Sequence, residues 1–166
     1  MRPVKLTMTA FGPYAGEEVI DFAKLKDKNI FLITGPTGAG KTTIFDGISY
    51  AVFGSASSDE RDGESLRSHF ASEDLITSVE LEFELKGKRY YIKRIPKQLK
   101  RKAKGDGFTE QKPEAYLELI SDEKRDMCAS GVNPVNERIA EILGINCAQF
   151  RQIMMIPQGE FRQLIT

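Results

Sequence analysis

The run Gly35-Pro36-Thr37-Gly38-Ala39-Gly40-Lys41-Thr42 constrains this chain more than any other feature, because it matches the phosphate-binding pattern G-x-x-x-x-G-K-[ST] at every fixed position. Upstream, Ile30-Phe31-Leu32-Ile33 is an unbroken apolar run, which predicts a buried parallel strand. Downstream, Ile44, Phe45, Ile48, Ala51 and Val52 recur at helical spacing, which predicts a helix from Thr42 to about Phe53 with Gly54 as its stop. Glycines between such a strand and helix let successive N–H groups converge on phosphate oxygens, and the helix N-terminus adds its partial positive charge. In this pattern Lys41 reaches the β- and γ-phosphates, Thr42 places its hydroxyl on Mg²⁺, and Thr43 adds a hydroxyl near the α-phosphate. The predicted nucleotide site is therefore Gly35, Pro36, Thr37, Gly38, Ala39, Gly40, Lys41, Thr42 and Thr43.

Composition narrows the class of protein around that site. A chain of 166 residues with 40% hydrophobic content is about one domain with ample core. Lysine plus arginine (24) balances aspartate plus glutamate (24), so no global field draws it to nucleic acid or membrane, and any electrostatic footprint is local. Cys128 and Cys147 form no C-x-x-C pair, which argues against a disulfide framework or a zinc site. No apolar segment follows the first charges and no stretch of eighteen apolar residues occurs, which predicts a soluble cytoplasmic protein with no membrane partner.

Alternation supplies the rest of the expected fold. Lys5 to Phe11 alternates, Gly12-Pro13-Tyr14-Ala15-Gly16 breaks it, and Glu18 to Phe22 resumes, which predicts a β-hairpin before the glycine-rich loop. Ser55 to Asp74 is polar and predicts an exposed loop with short helical pieces. Ser78 to Leu85 and Arg89 to Ile95 alternate strictly around the turn Lys86-Gly87-Lys88, a hairpin with one wet face, and Ala115 to Ile120 adds a third strand. Asn133 fits an N-cap with Pro134 at the first helical position, and Val135, Ile139, Ile142 and Leu143 form an apolar stripe ending at Gly144. A last helix-like stretch, Cys147 to Ile156, breaks at Pro157.

From Lys86 to Lys104 ten positions are lysine or arginine and none is acidic. Lys93, Arg94, Lys97, Lys100, Arg101, Lys102 and Lys104 are the candidate contacts to a nucleic acid backbone. The alternative is a solvated hairpin edge followed by a mobile Lys-rich loop, Lys97 to Gly107, that protects the strand against aggregation. His69, the single histidine, has no partner pattern and reads as a surface or capping residue.

A complete nucleoside triphosphatase also needs four apolar residues ending in an acidic one, to hold Mg²⁺ and polarise water. The nearest candidate, Leu117 to Glu123, is interrupted by Glu118 and Ser121 and reads as a half-exposed strand entering a turn. D-x-x-G and N-K-x-D are absent, which excludes a GTPase. A small nucleoside or nucleotide kinase fits the size, although a basic hairpin makes a poor substrate lid.

Four segments together resemble a known family: Phe11-Gly12-Pro13-Tyr14, the loop from Thr34 to Thr43, the continuation Ile44-Phe45-Asp46-Gly47-Ile48, and Phe150-Arg151-Gln152-Ile153-Met154-Met155-Ile156-Pro157-Gln158-Gly159-Glu160-Phe161. They are similar to the N-terminal half of SbcC-type ATPases, bacterial double-strand-break repair proteins related to structural-maintenance-of-chromosomes proteins and ABC-type ATPase heads. The resemblance covers essentially the whole chain. It implies an α/β fold, the N-terminal lobe of an ABC-type head across residues 1–166, with an antiparallel β-subdomain and a β-hairpin packed beside the P-loop helix. It implies that Gln158, in the Q-loop position, coordinates Mg²⁺ or its water and senses the γ-phosphate, so that Lys41 and Gln158 are the catalytic candidates and Thr42 and Gln158 the metal candidates.

The resemblance further implies a split machine. A coiled coil and a C-terminal lobe of the same full-length protein carry the signature motif, the Walker B acids and the switch histidine. Two heads sandwich two ATP molecules, and closure controls access of double-stranded DNA to the nuclease partner SbcD, with the assembly nucleoid-associated when on DNA. Little or no ATP hydrolysis is then expected from this chain alone. Two other classes stay open, a complete small-molecule phosphotransferase and a non-catalytic, nucleotide-regulated binding module.

Overall fold

The computed structural model describes residues 1–25, 32–56, 66–102, 105–122 and 124–154, the last four of them by backbone alone. Its strands are β1 (Arg2–Thr9), β2 (Glu17–Asp21), β3 (Ser78–Leu85), β4 (Lys88–Ile95), β5 (Gln98–Arg101), β6 (Phe108–Gln111), β7 (Glu114–Ser121) and β8 (Lys124–Ser130). Six of them form one sheet in the order β2-β1-β3-β4-β7-β8, and β5 pairs with β6 as a separate hairpin. Every pairing among the described residues is antiparallel.

Period-two alternation sorts the sheet into a dry and a wet face. Leu6, Leu81, Ile92 and Leu117 stand in one cross-strand row and are completely buried, joined by Met8, Val79 and Phe83. On the opposite face Arg89 meets Glu82 at 2.6 Å, Lys93 meets Glu80 at 2.7 Å, and the Arg125 guanidinium lies 4.0 Å over the Tyr91 ring.

Two helices cover the dry face. Helix α1 (Lys41–Phe53) crosses β1, β3 and β4, and α2 (Val132–Leu143) lies on β7 and β8 and touches α1. The α1 crossing is close because of Gly47, where an added Cβ would stand 2.6 Å from Met8 Sδ and 3.4 Å from Leu6 Cδ2. A third helix, α3 (Cys147–Met154), starts at a capping box in which the Gln149 N–H donates to Asn146 Oδ1 at 2.9 Å and the Asn146 N–H to Gln149 Oε1 at 3.0 Å. Its buried Phe150 sets its ring 5.0 Å from that of Phe53, the last residue of α1. No helix among the described residues is long and apolar enough to cross a membrane.

The mixed α/β fold and its antiparallel sheet follow the alternation, and Gly54 and Gly144 end α1 and α2 as the pattern predicts. Several expectations are corrected. Ile30 and Phe31 lie outside the described residues, while Leu32 and Ile33 form no strand, and Leu32 is 84% exposed. The described sheet contains no parallel strand that could flank such a run. Helix α2 is capped by Gly131 rather than Asn133: the Gly131 N–H donates to Ala115 O at 2.8 Å, which ends β8 there and starts the helix earlier. Pro134 is tolerated inside the first turn, where N–H groups have no intrahelical acceptor. Within the expected Lys-rich loop, Lys97 to Gly107, Gln98–Arg101 form β5, paired with β6, and Leu66 and Ser68, expected in an exposed loop, are buried.

Candidate functional site

Helix α1 opens on the glycine-rich loop. Gly40 is its N-cap in the left-handed region (φ 80°, ψ 12°), a conformation that a residue with a Cβ rarely adopts. No side chain caps the helix and its first turn holds no acidic residue, so its N–H groups and positive dipole end are left for an external anion. The Ala39 N–H donates to Pro36 O at 3.2 Å and closes the loop. The Lys41 ammonium folds back over it, donating to Gly35 O at 2.8 Å and Pro36 O at 2.7 Å. Thr37, Gly38, Ala39 and Thr42 are exposed beside that cation. Chemically, the arrangement offers a positive charge, backbone donors and hydroxyls to a phosphate-bearing ligand. Thr43 is different: it is buried, and its methyl would stand 2.7 Å from a Cβ on Gly12.

That contact shows what sequence reasoning missed. The turn Phe11-Gly12-Pro13-Tyr14, expected as a break between strands and as one of the segments that carry the resemblance but given no site role, is the support of the loop. Its Tyr14 hydroxyl donates to Gly40 O at 3.1 Å, and Tyr14 Cζ and Pro13 Cγ would lie 2.8 and 3.0 Å from any Cβ added at Gly40. Burial, and then the charge of Glu18, push the Tyr14 hydroxyl above its ordinary pKa, which keeps it a donor. The turn is itself rooted in the core. Phe11 is fully buried 6.2 Å from the Tyr50 ring of α1, and the Gly12 N–H donates to Leu66 O at 2.8 Å. Arg67, next along, donates to Ser72 O, Leu75 O and Thr77 Oγ1 and braces the segment that leads into β3. The Gly-Pro pair and the family resemblance mark this turn in the sequence, and neither says what the turn touches.

The basic candidates do not form one exposed patch. Arg94 is 2% exposed; its Nε donates to Ala51 O at 2.7 Å and its Nη2 to Val52 O at 3.0 Å, capping the C-terminus of α1. Burial lowers its pKa to about 10, partly offset by Tyr50, and pushes the Tyr50 hydroxyl up to about 12. Parity carried this signal, because Arg94 shares its face of β4 with Tyr90 and Ile92. Lys93 points the other way, to Glu80. On the hairpin, Lys97 lies 3.4 Å from Glu110, Arg101 lies 3.4 Å from Glu73, and Lys100 donates to Gln111 at 2.6 Å. Lys102 is exposed, and Lys104 lies outside the described residues, as does Gln158. His69 is exposed. Replacing Arg94 with methionine keeps most of the buried stem and removes both carbonyl contacts. It is expected to cost about 2–4 kcal/mol of unfolding free energy in urea titrations; a loss below about 0.5 kcal/mol would show that solvent already satisfies those carbonyls.

Comparison with known proteins places these residues in a family. The family model for an AAA domain matches residues 5–166. The chain is 45% identical over 166 residues to the SbcC subunit of the SbcCD nuclease of Vibrio cholerae, with all of this chain and 16% of that protein covered. It is 41% identical over 168 residues to the protein of the same name from Staphylococcus haemolyticus, and 40% identical over 167 residues to that from Staphylococcus aureus, with 99% of this chain and 16% of each relative covered. The chain thus spans about one sixth of the length of these relatives. With the family model matched from Lys5 to the last residue, the chain belongs to the AAA domain family.

Proposed function

We propose that this chain binds ATP with Mg²⁺ in the loop from Gly35 to Thr43 and is one lobe of an ABC-type ATPase head in a double-strand-break repair nuclease complex. The observation that carries this reading is the Lys41 ammonium, held 2.8 and 2.7 Å from the carbonyls of Gly35 and Pro36 at the mouth of an uncapped helix N-terminus. The identity of 45% to a protein named as part of the SbcCD nuclease supports the assembly, in which a second head, the C-terminal lobe of the full-length protein and the SbcD nuclease are the partners.

The donor set suits a metal that arrives with the nucleotide. Among the described residues no cluster of three or more His, Cys, Asp or Glu side chains is placed to hold an ion. Mg²⁺ takes most of its oxygens from phosphates and water, so one exposed hydroxyl, Thr42, is an adequate first contribution from the loop. Gln158 would add a second, and would register the γ-phosphate. Bound Mg²⁺ would neutralise charge between the β- and γ-phosphates. The residues of this chain bind and orient the nucleotide. The general base comes from elsewhere, because no run of four apolar residues ends in an acid here. Double-stranded DNA would reach this lobe through the hairpin cations Lys97, Lys100, Arg101 and Lys102; Arg94, bound to the end of α1, is left out.

Titrating MgATP into the purified chain is expected to give saturable one-to-one binding, with phosphate release indistinguishable from buffer. Failure to bind any nucleotide would remove the reading. Sustained turnover by the isolated chain would instead point to a self-contained phosphotransferase.

A further inference from the structure

We propose that Tyr14 is a positioning residue of the nucleotide loop, holding the Gly40 carbonyl so that the first N–H groups of α1 are aimed before ligand arrives. The proposal rests on the nucleotide reading above. Its basis is a conflict at Gly40. The left-handed backbone there requires glycine, yet glycine is the residue least able to hold one conformation by itself. The missing restraint comes from another part of the chain: the Tyr14 hydroxyl donates to Gly40 O at 3.1 Å, and its ring fills the space where a Cβ would lie.

The support is anchored in its turn. Tyr14 follows a Gly-Pro pair, its N–H donates to Phe11 O at 3.0 Å, and Phe11 is fully buried against Tyr50. The same turn meets α1 at Gly40, Thr43 and Tyr50, and β1 meets it at Gly47; these four positions fall on one helix face at intervals of three or four. The loop is therefore held at two ends by different means. Lys41 holds Gly35 and Pro36 with contacts that a phosphate can compete for, while Tyr14 holds the Gly40 carbonyl from a turn 26 positions away in the chain. A loop ordered in advance loses less conformational freedom on binding, and the gain appears as nucleotide affinity.

The test compares the full chain with Tyr14→Phe, which keeps the ring beside Gly40 and removes only the hydroxyl. MgATP affinity is expected to fall about three- to tenfold, the equivalent of one net hydrogen bond. The melting temperature without nucleotide is expected to stay within about 2 °C, and amide exchange across residues 40–46 to quicken. Unchanged affinity and exchange in Tyr14→Phe, with wild type binding normally, would overturn the proposal and leave the nucleotide reading intact. An affinity loss accompanied by an equal fall in apo stability would also overturn it, by making Tyr14 a structural residue. Absence of MgATP binding in wild type would remove the nucleotide reading itself, and the apo exchange measurement would still show whether Tyr14 orders the loop.

Discussion

Replacing Lys41 with methionine is expected to weaken MgATP binding by about 100-fold or more, about 2.7 kcal/mol, with little change in the stability of the ligand-free protein. Methionine keeps the unbranched stem and helix preference of lysine and deletes the ammonium, with its charge and its donors. In the free protein that charge sits on two exposed carbonyls, Gly35 O and Pro36 O, which water can satisfy when it is gone. In the complex its partners would be phosphate oxygens, and hydrogen bonds between ionised groups are roughly twice as strong as neutral ones. Isothermal titration of both proteins, with thermal melts as control, separates the two effects. Equal affinity in the variant would remove Lys41 from the site. Arginine is not expected to rescue, because its broad planar fork does not reproduce a compact ammonium seated in a closed loop.

Replacing Gly47 with leucine is expected to destabilise the fold by more than about 3 kcal/mol, lowering the melting temperature by about 10 °C. Gly47 lies where α1 crosses β1, and even a Cβ would stand 2.6 Å from Met8 Sδ and 3.3 Å from Met8 Cγ, in a fully buried layer. Alanine makes the informative contrast. Its methyl presses on the end of a flexible side chain, and the gain of about 1 kcal/mol in helix preference over glycine opposes the crowding. Gly47→Ala is therefore expected within about 1 kcal/mol of wild type. Equal stability of the alanine and leucine variants would mean that α1 does not approach β1 this closely.

The legible parts of this fold were the segments whose own residues impose a period. β3 and β7 each bury one face of a sheet and wet the other, so apolar and polar residues alternate along most of each, whereas β4 departs from the pattern at Tyr91 and Arg94. Helix α1 was equally plain, from its spacing and its terminal Gly54. β5 and β6 were not, because four residues each are too few to establish a period. The start of α2 was misplaced because a side-chain cap at Asn133 is a local preference, whereas the Gly131 N–H is held by a carbonyl on β7, sixteen positions earlier in the chain. Of the candidate site, the loop residues could be named from their pattern. The turn that supports them could not, since Tyr14 and Gly40 are 26 positions apart.

Taken alone, the amino-acid sequence determined where the backbone could wrap a phosphate and which stretches alternate, because glycine tolerance and side-chain period are properties of neighbouring residues. Only the tertiary structure decided what each charge is for. Lys93 and Arg94 are adjacent cations on β4, yet one pairs with Glu80 on the wet face and the other is buried under the end of α1. The difference lies in what stands opposite each face, a carboxylate in one case and unsatisfied helix carbonyls in the other. Desolvation and hydrogen-bond satisfaction are set by those distant partners.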